Sequence, residues 1–174
     1  MHSMAGTAVQ AGWTWAQTAA LLAATIAIVG AVIVAVVGYG LTQRTARRER
    51  LAKTFAEALS AVEDYAELPY RVRRRSGSPE ARVQLTEDIS KIQSRIAFYQ
   101  AWMRIEEPQA AMAYTRLVRA VKHQAGTQMS EAWTKRVRTK DHQMNLHVAY
   151  PREEIDEEVA QCVMIMRSVL GRGN

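Results

Sequence analysis

Aspartate, glutamate, lysine and arginine are all missing from the first 43 residues of this 174-residue chain. A surface helix of a water-soluble fold cannot do without charge for so long, so this segment calls for some other surroundings. Cysteine is almost absent as well. The one thiol, Cys162, excludes an intrachain disulfide framework and reads as a small core residue. There are four prolines, and none lies before Pro69. A helix starting near the amino end therefore meets no obligatory break. Histidines are few and badly spaced for metal. His142 and His147 are five apart, and no Glu-x-x-His pair exists, so neither a zinc-protease helix nor a di-iron bundle is expected. No glycine-rich phosphate loop, serine elbow or dinucleotide fingerprint occurs. These absences leave no convincing catalytic constellation and no expected cofactor.

What is present begins with a greasy run. Residues 16–43 carry no formal charge, and Ala19 to Leu41 is apolar apart from Thr25, three glycines and Tyr39. As a helix those 23 residues would measure roughly 34 Å, against a bilayer core of about 30 Å. A single transmembrane helix is the expectation. Trp13, Trp15 and Tyr39 sit at its ends, where amphipathic rings favour headgroups. Arg44, Arg47, Arg48, Arg50 and Lys53 follow at once, so the positive-inside rule puts residues 1–15 outside the cell and the larger C-terminal part in the cytoplasm. Small residues recur every fourth position at Ala19, Ala23, Ala27, Ala31 and Ala35, with Gly30 and Gly38 on an adjacent strip. Such a face admits a second helix closely, whether a second copy or another membrane protein.

The net charge of +6 is local. The collar from Arg44 to Lys53 contributes +4, and Arg71, Arg73, Arg74 and Arg75 contribute +4 more. A basic field spread over the fold is therefore not expected, which favours contact with anionic lipid over nucleic acid. The second cluster runs into Ser76-Gly77-Ser78-Pro79 and reads as a basic loop over 69–79.

Beyond the span the chain reads as helical throughout. Leu51, Phe55, Leu59 and Val62 mark a membrane-proximal stalk over 44–68. Ser78 and Pro79 read as the cap and first residue of a helix whose seam is Leu85, Ile89, Ile92, Ile96, Tyr99 and Met103. Pro108 restarts the chain, with an apolar face running to Gly126. Ser130 then reads as the cap of a further helix through Trp133, Val137, Met144 and Val148. Pro151 opens the last helix, with Ile155, Val159, Cys162, Met166 and Val169 as its seam. Residues 80–171 therefore form the bundle domain of an all-α protein. The whole is a transmembrane helix followed by a four- to five-helix antiparallel bundle with coiled-coil-like packing.

One short pattern has a chemical precedent. Arg136-Val137-Arg138-Thr139-Lys140-Asp141-His142 sets an arginine six residues before a histidine on an expected helix. It resembles the Arg-x(4–6)-His element of HEPN-type helical ribonucleases. The resemblance covers seven residues and implies that Arg136 stabilises phosphoryl charge while His142 acts as acid or base. The chain as a whole reads first as a single-span scaffold or interaction protein. A tethered binder of anionic lipid or nucleic acid comes second, and a helical ribonuclease third.

Overall fold

The computed structural model describes residues 15–138, 140–144 and 149–172, without the side chains of 16–30 and 141. The described chain is α-helical, with no strand. Its elements are α1 (Trp15–Ala66), α2 (Leu68–Arg73), α3 (Pro79–Glu106), α4 (Pro108–Thr134) and α5 (Glu153–Gly171), with a 3₁₀ turn over Asp141–Gln143. It divides into two compact units, Met1–Ala46 and Arg47–Asn174.

In the first unit α1 has apolar side chains on every side. Val32, Ile33, Val34, Val36, Val37, Tyr39 and Leu41 are between 55% and 72% exposed. Among the described residues no helix is long and apolar enough to cross a membrane. The described side chains of the uncharged run, 31–43, cover about 20 Å of helix, short of a ~30 Å hydrocarbon core. Residues 1–14, which hold most of the expected external terminus, lie outside the described residues.

In the second unit the expected seams meet one another within a single chain. Phe55, Val62, Ile96, Met103, Tyr114, Leu117, Ile155 and Cys162 share one core. Cross-links fix the directions of the helices. Arg47 meets Glu107, Tyr99 meets Glu57 and Arg95 meets Asp64, so α1 and α3 run antiparallel. Arg116 meets Glu158, and the Gln124 side chain accepts from the Ile155 amide, so α4 and α5 are antiparallel too. The buried Tyr114 hydroxyl donates to the Ala58 carbonyl of α1 at 3.0 Å. The result is an up-down-up-down bundle, as short connections favour.

Local chemistry accounts for most of the boundaries. Ser78 Oγ accepts from the Ala81 amide, and Pro79 follows at the first helical position. Pro108 forces Glu107 out of the helical region (φ −146°, ψ 80°), ending α3 and starting α4 in one step. Glu153, Glu154 and Asp156 occupy the first turn of α5, where carboxylates meet exposed amides.

Two boundaries differ from the sequence reading. α4 passes straight through Gly126 and Ser130 and stops only at Thr134. Val121, Ala125, Met129 and Ala132 continue its inner face at helical spacing, with Met129 partly buried and the rest buried. Burial on that scale outweighs the ~1 kcal/mol cost of an internal glycine. The separate helix expected from Ser130 is consequently absent: residues 130–134 close α4, 135–138 are not helical, and Val148 lies outside the described residues. The expected loop over 69–79 also begins as helix, because α2 carries Pro69 in its first turn and includes Arg71 and Arg73.

Candidate anion-binding site

The arginines after α1 are built into the far end of the bundle. Arg73 is only 9% exposed. Its guanidinium donates to the Arg136 carbonyl at 2.8 Å, and its own carbonyl accepts from the Arg138 amide at 2.9 Å. This two-bond clip pulls residues 136–138 onto the end of α2. Arg74 donates to the Met144 carbonyl and lies over the Tyr70 ring. Arg75 donates to the carbonyls of Val72, Ala132 and Trp133, with its guanidinium 4.7 Å from the Trp133 ring centre. Ala132 and Trp133 lie in the last turn of α4, whose carbonyls have no partner within the helix. Arg75 is therefore the C-terminal cap of α4, placed where the helix dipole favours a cation.

Among the described residues Arg71 is the one of the four paired with a carboxylate, that of Asp88. Hydrogen bonds from Gln84 and Arg71 hold the Asp88 carboxyl below its usual range. The other three arginines bond neutral carbonyls, and no ion pair offsets their charge among the described residues. Burial, then Arg82 and Arg73 nearby, pulls the Arg75 guanidinium below its ordinary pKa. Crowding of like charge is the physical cause of the last two contributions.

The clip creates a pocket of about 460 Å³ lined by Arg73, Arg136, Val137, Arg138, Lys140 and Gln143. Four of the six side chains are cationic, and no carboxylate is among them. Arg138 Nε is buried and finds no acceptor among the described residues. Arg138, Lys140 and Gln143 escaped the sequence reading. Its signal was visible as basic residues at 135, 136, 138 and 140, but the helix expected there would have scattered them around its circumference.

The expected site residues separate into distinct places. Ala19, Ala23, Ala27 and Gly30 have side chains outside the described residues, whereas Ala31 and Ala35 are exposed on α1 and a Cβ at Gly38 would meet nothing within 4 Å. Arg44 and Arg48 are exposed, and Arg47 pairs with Glu107 at 2.8 Å. Arg47, Arg50 and Lys53 line a groove beside Trp102, but Glu57 and Glu106 share it. That groove is mixed in charge. From Arg47 to Ala66 runs roughly 28 Å of helix, so the groove and the Arg73 pocket occupy opposite ends of the bundle. The two basic clusters do not make one surface.

Arg136 and His142 do not share a helix. Arg136 follows the extended C-cap residue Lys135, and His142 lies in the 3₁₀ turn. Arg136 lines the pocket, while His142 is exposed and does not. The pocket offers charge stabilisation, with no histidine, carboxylate or thiol among its described lining residues. Cys162 lies in the core, and burial pushes its thiol up to about 11, away from nucleophilic use near neutrality. Among the described residues no cluster of three His, Cys, Asp or Glu side chains is arranged to hold a metal ion. No protein-family description matches the chain, and no curated protein or solved structure was found to be similar to it.

Proposed function

We propose that this chain is a non-catalytic interaction protein, held in a membrane by the first part of α1 and presenting its helical bundle on the cytoplasmic side. The observation that carries this reading is the apolar surface around α1 between Val32 and Leu41. Val32, Ile33, Val34, Val36 and Val37 cover one broad side there and Ala31, Ala35, Gly38 and Tyr39 the other, so no side is charged, whereas a docking face would leave the opposite side polar. Lipid is the surrounding that suits every side at once. The same helix turns one-sided from Leu51 onward, after the basic collar, where Leu51, Phe55, Ala58 and Val62 are buried together. The apolar run continues in sequence back to Ala19, and together these residues are long enough to span.

The bundle has its own closed core, so its surfaces remain for partners. Self-association through the small-residue strip is part of the proposal. Ala31 and Ala35 are exposed and a Cβ at Gly38 would meet nothing within 4 Å, which leaves room for a second backbone.

Fractionation tests the anchor. The full chain should stay with membranes after an alkaline carbonate wash, and deleting residues 16–43 should release it. Recovery of the intact chain in the aqueous fraction would refute the membrane reading. Size in mild detergent tests assembly. Ala31→Ile with Ala35→Ile should convert an oligomer to a smaller species, and a wild-type monomer at every concentration would refute self-association.

A further inference from the structure

We propose that the pocket at the arginine end of the bundle binds an oligophosphate, an anion of two or more linked phosphate groups. The proposal goes beyond the membrane reading and does not depend on it. Arg73, Arg136, Arg138 and Lys140 converge on one cavity, and no carboxylate is among its described lining residues. Guanidinium forks match the oxygens of a phosphate, and the Gln143 amide adds a neutral donor.

The volume sets the size of the guest. About 460 Å³ lies within the range of small-molecule sites and exceeds what one phosphate group fills. The lining sets its chemistry. Among the described lining residues Val137 is the one apolar side chain and none carries a ring, so they offer a nucleobase no stacking platform. Recognition would rest on the phosphates alone.

The pocket is also held in shape before any guest arrives. Arg73 is fixed by its bond to the Arg136 carbonyl, and the Arg138 amide closes the clip on the Arg73 carbonyl. These bonds are to neutral groups, so they position the guanidinium without neutralising it. Preorganised charge loses little freedom on binding. Arg138 Nε adds a specific reason for an anion. A buried charged donor without an acceptor is costly, and an oxygen placed in the pocket would relieve that cost.

The test is calorimetric titration of the full chain in nonionic detergent at low salt. Tripolyphosphate, ATP, GTP and inorganic phosphate are the probes. Tripolyphosphate, ATP and GTP should bind comparably, inorganic phosphate more weakly, and added salt should weaken all of them. The combined variant Arg136→Gln, Arg138→Gln, Lys140→Gln should lose affinity by about a thousandfold, at roughly tenfold per charge-assisted contact. Its melting temperature should hold, since none of those three side chains hydrogen-bonds to a described residue. If the triple variant fails to fold, Lys140→Gln alone should still weaken binding roughly tenfold. Failure of wild type to bind tripolyphosphate overturns the proposal. So does undiminished binding by the folded variant, binding of ATP without tripolyphosphate, or binding of RNA or lipid vesicles that tripolyphosphate does not displace.

Discussion

Replacing Gly126 with alanine should stabilise the bundle, and the sign of the effect decides how α4 is built. If residue 126 ended a helix in a left-handed turn, a Cβ there would be strained and Gly126→Ala would cost stability. Instead Gly126 lies inside α4, and its φ is not positive. A Cβ built on it meets only the Tyr65 hydroxyl, at 3.5 Å, an ordinary van der Waals contact. The gain is then the helix-interior advantage of alanine, about 0.5–1 kcal/mol, drawn largely from the smaller freedom of the unfolded chain. For a cooperative unit of this size that corresponds to a rise in melting temperature of about 2–4 °C. Thermal melts of both proteins in the same detergent, followed by far-UV circular dichroism, measure it. A fall of about 1 kcal/mol or more in stability would mean that the chain turns at Gly126 and that the single long helix is wrong.

Three other substitutions probe separate parts of the bundle. Tyr114→Phe should cost about 0.5–1.5 kcal/mol near neutral pH, the value of one buried hydrogen bond to the Ala58 carbonyl. Burial first, then Cys162 and Tyr99, raises the Tyr114 phenol above its ordinary pKa. The stability held by its neutral form is therefore complete below about pH 10 and is lost as pH rises further, when only the unfolded phenol ionises. Phenylalanine has no such loss, so between about pH 8 and about pH 11 the balance should move by about 1.4 kcal/mol in the variant's favour, erasing or reversing its deficit, and a deficit that stays constant would place the phenol in water. Arg75→Met keeps the aliphatic stem but removes the cap of α4 and the contact over Trp133. It should cost about 1–2 kcal/mol and speed hydrogen exchange at the end of α4. Ser78→Ala removes the acceptor for the Ala81 amide and should cost about 1 kcal/mol in a denaturant titration, with no change in the other helices.

The parts of the fold that were legible in sequence are those set by nearby residues. Ser78-Pro79 and Pro108 act within one turn, through a side-chain oxygen, a missing amide and a fixed φ. The seams of α3 and α5 repeat at helical spacing, so Ile92, Ile96, Tyr99, Cys162 and Met166 were recognisable as core. The two helices expected between Pro108 and Val148 were misread because glycine and serine are only weak local signals. Packing of Ala125, Met129 and Ala132 against other helices overrules them. Trp133, Val137 and Met144 keep a helical period past Thr134, but the helix does not follow it.

Sequence alone determined the helical class, the main proline boundaries, the core-facing residues and the uncharged run with its basic collar. Each follows from chain chemistry over a few residues or from the order of polar and apolar groups. Tertiary structure decided what became of the arginines. Arg73 and Arg75 find their partners at Arg136, Ala132 and Trp133, 57 to 63 residues away along the chain. Only folding brings those carbonyls within reach. A run that reads as solvated loop is thereby turned into a helix cap and the wall of a positively charged pocket.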